Sequence, residues 1–198
     1  LIDEEVWTDP NPFENFGMAQ PAPREVIWSP PARELIVQTA EALQRPSVAL
    51  AIVLGYSIGQ REGDILAAVV SQYVALPEHK MQPEDYAVLS AAAPDGQPRG
   101  VRIRQSKTKA WIEVPVVGDT RTRIEANIAR AKEQERFNIV LDDTRSIGNR
   151  VATYEGKAGQ TRFQRDFAEV REAAACEAEK MAQPDLSAEI RTLEFRDL

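Results

Sequence analysis

Apolar positions follow a helical spacing soon after Trp28. Leu35, Ile36, Thr39, Ala40 and Leu43 fall on one face of a 3.6-residue repeat. Ser29 supplies an N-cap oxygen, and Pro30 suits the first helical position because its missing N–H needs no partner there. The pattern predicts a helix to about Gln44. Pro46-Ser47 restarts the chain, and Val48 to Ile58 is apolar nearly all round, as in a fully buried helix. A polar segment, Gly59 to Asp64, then interrupts the apolar run. A short helix over Ile65–Ala68 and a strand over Val69–Val74 are expected beyond it.

Residues 75–98 hold four prolines and the turn pair Asp95-Gly96, so they predict a loop-rich excursion. Val101 to Gln105 alternates apolar and basic, and Trp111 to Val116 is rich in β-formers. These two predict an antiparallel hairpin with Ser106–Ala110 at its tip. Asp119–Arg136 carries the helical stripe Ile124, Ile128 and Ala131, and Phe137–Leu141 reads as short and extended. In Gln160–Met181, Phe163, Phe167, Val170 and Ala174 predict a long helix. Pro184-Asp185 breaks it, and a last short helix leads to Leu193-Glu194-Phe195. Residues 1–27 are proline-rich and read as a linker or strap. The expected class is α+β, mainly helical with a small antiparallel three-stranded sheet.

Composition narrows the chemistry. The 198 residues are 43% hydrophobic and 28% charged, an ordinary globular mixture. The longest apolar stretch, Val48 to Leu54, is too short to span a bilayer, and a cytoplasmic protein with no membrane partner is expected. The opening residues lack an initiator Met and a basic, apolar leader, so the chain reads as starting inside a longer one. Cys176 is the only cysteine and His79 the only histidine, which rules out an internal disulfide and argues against a zinc site. His79 lies in a polar stretch and reads as a surface residue. The net charge of −7 argues against nucleic-acid binding until its distribution is considered. Arg99, Arg102, Arg104, Lys107 and Lys109 cluster in eleven residues with no acid among them.

Two residues stand out for phosphate chemistry. Arg61 sits in the polar break between apolar runs. A guanidinium matches phosphate with parallel donors, although a structural ion pair with Glu62 or Asp64 explains it equally well. Lys107 sits at the expected hairpin tip. There it reads either as an exposed lysine or as an ammonium that reaches a phosphodiester and protonates a leaving oxygen.

Together, in this order, the two motifs resemble the catalytic domain of the tyrosine recombinase (phage integrase) family. Gly59-Gln60-Arg61-Glu62-Gly63-Asp64-Ile65-Leu66 resembles that family's first arginine motif. Arg104-Gln105-Ser106-Lys107-Thr108-Lys109 with Ile112 to Val116 resembles its lysine-bearing hairpin. Asn11-Pro12-Phe13 resembles the segment that enters the domain from an amino-terminal core-binding domain. Phe195-Arg196-Asp197-Leu198 resembles the start of the His-x-x-Arg box, with Arg196 in the histidine position.

The resemblance implies the DNA breaking-rejoining fold over residues 28–198, as a partial domain. It implies strand cleavage through a 3′-phosphotyrosyl link, without metal or nucleotide cofactor. Arg61, Lys107 and Arg196 would be catalytic and Asp64 would support the arginine turn. Arg99, Arg102, Arg104 and Lys109 would bind double-stranded DNA, and the full-length enzyme would act as a homotetramer near the nucleoid. The second arginine and the nucleophile would follow Leu198. None of Tyr56, Tyr73, Tyr86 and Tyr154 takes that role, so the segment alone is expected to be inactive. Tyr56 reads as core and the other three as sheet or loop. Two alternatives stand beside this reading: a non-catalytic DNA-binding relative of the same fold, and an unrelated helical interaction module.

Overall fold

The computed structural model describes residues 26–198. The part of the strap that falls on residues 1–25, with Asn11-Pro12-Phe13, lies outside them. The chain enters through α1 (Pro30–Ala42), whose first turn is closed by the Ala32 N–H donating to Ser29 Oγ at 3.2 Å. Helix α2 (Pro46–Ile58) forms the centre. Val48 to Ile52 are fully buried and Leu54 with them, because α1, α5 (Gly118–Glu133), α6 (Gly156–Lys180) and the second hairpin surround it. A helix so enclosed has no polar stripe to show. Gly59 ends it with φ 61°, a left-handed conformation that glycine adopts without steric cost.

Helix α3 (Glu62–Leu66) follows after Arg61, starting three residues earlier than the sequence predicted. The strand expected over Val69–Val74 is shorter: a 3-10 turn, Val70–Gln72, precedes β1 (Tyr73–Ala75). The excursion at 75–98 contains a second 3-10 turn, Glu78–Lys80, and a helix, α4 (Pro83–Ala92), that the prolines concealed. Pro83 stands in its first turn, where proline is tolerated. No residue of α4 is buried, so it has no amphipathic stripe to detect.

Strands β2 (Arg99–Arg104) and β3 (Trp111–Val116) form the expected hairpin, and β1 pairs with β2 to complete an antiparallel sheet in the order β1-β2-β3. Val101 and Ile103 point into the core, at 0% and 2% exposure. The alternate positions, Arg102 and Arg104, face water opposite Glu113 and Trp111. The fold is therefore mainly helical with a small antiparallel three-stranded sheet.

Beyond α5 the expected extension at Phe137–Leu141 is a single bridge, Val69 to Asn138, and an unpredicted second hairpin follows. It consists of β4 (Leu141–Ile147) and β5 (Arg150–Thr153). Helix α6 begins four residues before the predicted Gln160, and α7 (Pro184–Thr192) folds back on it. An aromatic cluster joins the two ends of the described chain. Phe195 meets Phe163 and Phe167 edge-on, with centroids 5.0 and 5.9 Å apart, and Phe167 lies 5.8 Å from Trp28. Such pairs contribute about 0.5–1.5 kcal/mol each beyond their burial.

Candidate functional site

The polar break between α2 and α3 becomes a tight corner. Arg61 occupies the N-cap position of α3 in extended conformation, φ −62° and ψ 147°. Its side chain is exposed and, among the described residues, makes no ion pair or hydrogen bond. The ion pair with Glu62 or Asp64 that the sequence allowed is not formed. Glu62 is half-buried, which raises its carboxyl pKa through lost solvation.

Asp64 is buried at 6% exposure and points away from Arg61's solvent side to the hairpin. Its Oδ1 accepts the Ser106 N–H at 3.0 Å, while Oδ2 is buried without a partner among the described residues. One residue before the arginine, Gln60 Oε1 accepts from Gln105 Nε2 at 3.0 Å. These two bonds tie the first residues of the hairpin tip to the arginine corner. The tip is further shaped by Thr108 Oγ1 donating to Gln105 Oε1 at 2.7 Å and by Lys109 at φ 62°. Lys107 and Lys109 stay exposed, free of side-chain partners among the described residues.

The other basic residues of the cluster divide by strand position. Arg104 Nε donates to Lys109 O at 3.4 Å. Arg102 lies 3.4 Å from Glu113, with its guanidinium 4.9 Å above the Trp111 ring. Arg99 stands at the far end of β2, half-buried against the Tyr73 ring at 5.6 Å and 3.9 Å from Asp95. Its environment is that of a structural residue. Close by, buried Arg121 binds Asp95 and Glu125 at 2.9 and 2.8 Å and holds the Asp95 carboxyl below its ordinary range. The Glu125 carboxyl is lowered first by the Tyr73 hydroxyl that donates to it and then by Arg121.

Arg196 lies in the last 3-10 turn, Phe195–Asp197, paired with Glu194 at 2.7 Å and 71% exposed. It lines a cleft of about 290 Å³ with Glu62, Gln164 and Arg171, so the carboxy-terminal turn and the first residue of α3 share one hollow. Arg171 donates to Leu193 O at 2.6 Å and leaves a buried Nε unpartnered among the described residues. The turn sits close because Gly55 lets it. A Cβ there would meet Leu198 Cδ1 at 3.0 Å and Phe195 Cζ at 3.3 Å.

Gln60, Gln105, Trp111 and Arg171 were not singled out by sequence. Only Trp111 carried a signal, as the one aromatic residue flanking the basic tip. The tyrosines differ in part from expectation. Tyr56 is 53% exposed under the Arg33 guanidinium, not core, because α2 turns this one edge to water. Tyr86 lies on α4. Tyr73 is in the sheet. Tyr154 follows β5 and is buried, its hydroxyl donating to Asp166 at 2.7 Å. Among the described residues no cluster of His, Cys, Asp and Glu could hold a metal, and no helix is long and apolar enough to cross a membrane. No protein-family model, curated protein or solved structure matches the chain.

Proposed function

We propose that the chain is part of the catalytic domain of a tyrosine recombinase, an enzyme that cuts and rejoins DNA through a phosphotyrosyl link. The observation that carries this reading is the hydrogen bond from Ser106 N–H to Asp64 Oδ1. It couples an unpaired arginine to a lysine loop more than forty residues away in sequence, as a shared phosphate site needs. Arg196 bordering the same cleft as Glu62 adds a third cation.

In this reading Arg61 meets the charge that develops on a non-bridging phosphate oxygen, and its lack of a carboxylate partner leaves its donors available. Lys107 donates a proton to the departing 5′-oxygen. Asp64 holds the corner and the tip at a fixed separation. Arg196 orients the phosphate and, as an arginine, does not shuttle protons. The nucleophile is a tyrosine that follows Arg196 in the parent protein, which acts as a homotetramer on DNA.

The test is cleavage of a suicide DNA substrate by the parent protein. Arg61→Ala is expected to lower the rate by about 10²- to 10³-fold, the usual loss for one transition-state donor. Unchanged cleavage by that variant would overturn the assignment. Binding of duplex DNA without any cleavage by the parent would favour a non-catalytic relative.

A further inference from the structure

The outward face of the sheet carries a feature that phosphate chemistry does not use. Trp111 begins β3 immediately after the lysine tip, directly opposite Arg104, and is 51% exposed. Arg102, diagonal to it, covers one face of the indole at 4.9 Å. From Gly100 to Val116 the chain holds Arg102, Arg104, Lys107 and Lys109 against Glu113 alone, in a protein of net charge −7. At the other end of this face Leu76 lies over Gly100, so the excursion covers the sheet there and leaves the Trp111 end open.

An exposed indole costs solubility and has no packing role on its free side. A cation-backed ring on a strand surface is a platform on which a nucleobase stacks, with neighbouring cations to hold the strand's phosphates. Inside a duplex both faces of a base are already covered by its neighbours. Only an unpaired base offers a free face. We infer that Trp111 stacks on an unpaired base of DNA beside the phosphate held by the lysine tip, with Arg102 sandwiching the ring from behind. The inference rests on the recombinase reading, in which strands are opened and exchanged next to the cut phosphate.

The experiment measures binding of the 198-residue chain to two labelled DNAs: a short matched duplex, and the same duplex with a central unpaired stretch. The wild-type chain is expected to prefer the second. Trp111→Ala is expected to weaken binding to the unpaired DNA by about tenfold, the scale of one stacked base, with little change for the matched duplex. Trp111→Phe keeps an aromatic face and is expected to retain most of the affinity. On a Trp7→Phe background the same variant should lose the quenching of tryptophan emission that DNA otherwise produces, since the remaining Trp28 is buried. Equal binding of both DNAs by wild type and Trp111→Ala, with Lys107→Ala weakening both, would overturn the stacking role and leave the recombinase reading standing. No binding of either DNA by the wild type would overturn both.

Discussion

The two hairpins of this protein have similar charged tips and opposite anchorage. The β2–β3 hairpin is tied down at its tip: Asp64 and Gln60 hold Ser106 and Gln105, and Val101 and Ile103 seal the stem into the core. The β4–β5 hairpin is tied down at its root. Asp142 pairs with Arg162 at 3.1 Å, and Asp143 accepts from Ser47 N–H at 2.7 Å, Ser47 Oγ at 3.1 Å and Arg130 at 2.5 Å. Its tip, Ser146 to Arg150, is exposed, Ile147 included. A hairpin fixed at the tip presents its cations at a defined place. One fixed at the root serves the core and holds its end only through the exposed Arg150–Glu135 pair. On the proposed reading, only the held tip is a binding site.

Substitutions at the anchors and at the ends of the two hairpins test that contrast. Asp143→Ala should cost about 3 kcal/mol in urea unfolding, near the low end for breaking a buried pair. Asp143 is 2% exposed, but Arg130 keeps 34% of its side chain in water. DNA affinity of the folded variant should be unchanged, and a large loss of affinity would erase the distinction between root and tip. Asp64→Ala should cost about 1 kcal/mol, the usual worth of one hydrogen bond, here the part-buried one from Ser106 N–H, and should weaken DNA binding as well. A stability loss with full DNA affinity would mean that the tip needs no tether.

Lys107→Ala should leave stability within about 0.5 kcal/mol and lower the salt dependence of DNA binding by about one unit of slope. Arg145→Ala, on the strand beside the exposed tip, should change neither, and a slope change there equal to that of Lys107→Ala would make the two hairpin ends equivalent. Acid tests the other end of the first sheet. Asp95 and Glu125 have folded pKa values below their unfolded ones, so their contribution is present above the unfolded pKa and is lost as pH falls through the folded values. Amide exchange around Asp95–Arg99 should therefore quicken below the ordinary carboxylate range. Protection that persists there would show that Arg121 does not hold this corner.

The difference between the hairpins also explains what could be read in the sequence. The first alternates apolar and basic residues, so a period of two was visible. The second opens Leu141-Asp142-Asp143-Thr144, and beside Leu141 and Ala152 it buries two carboxylates, compensated by arginines from α5 and α6. Polarity alone made it look like loop. Likewise α2 announced itself through its unbroken apolar run, whereas α4, with no buried residue, had no stripe to find. At the candidate site, Arg61 and Lys107 stood out by residue type and spacing. The glutamine pair that joins their segments was not, because amide contacts depend on which loops the fold brings together. Arg99 belonged to the basic cluster by sequence, yet strand parity turns it inward beside Tyr73.

The contact between the first and last described helices sets a schedule for biosynthesis. Trp28 Nε1 donates to Glu194 O, and the Ser29 N–H donates to Glu189 Oε1, across 166 and 160 residues. The core around α1 cannot close until those late residues have left the ribosome, roughly 10–30 s after Trp28 at ordinary elongation rates. Until then the apolar wall of α2 waits without its full cover. Slow translation would prolong that wait, making the nascent chain a natural client for a chaperone.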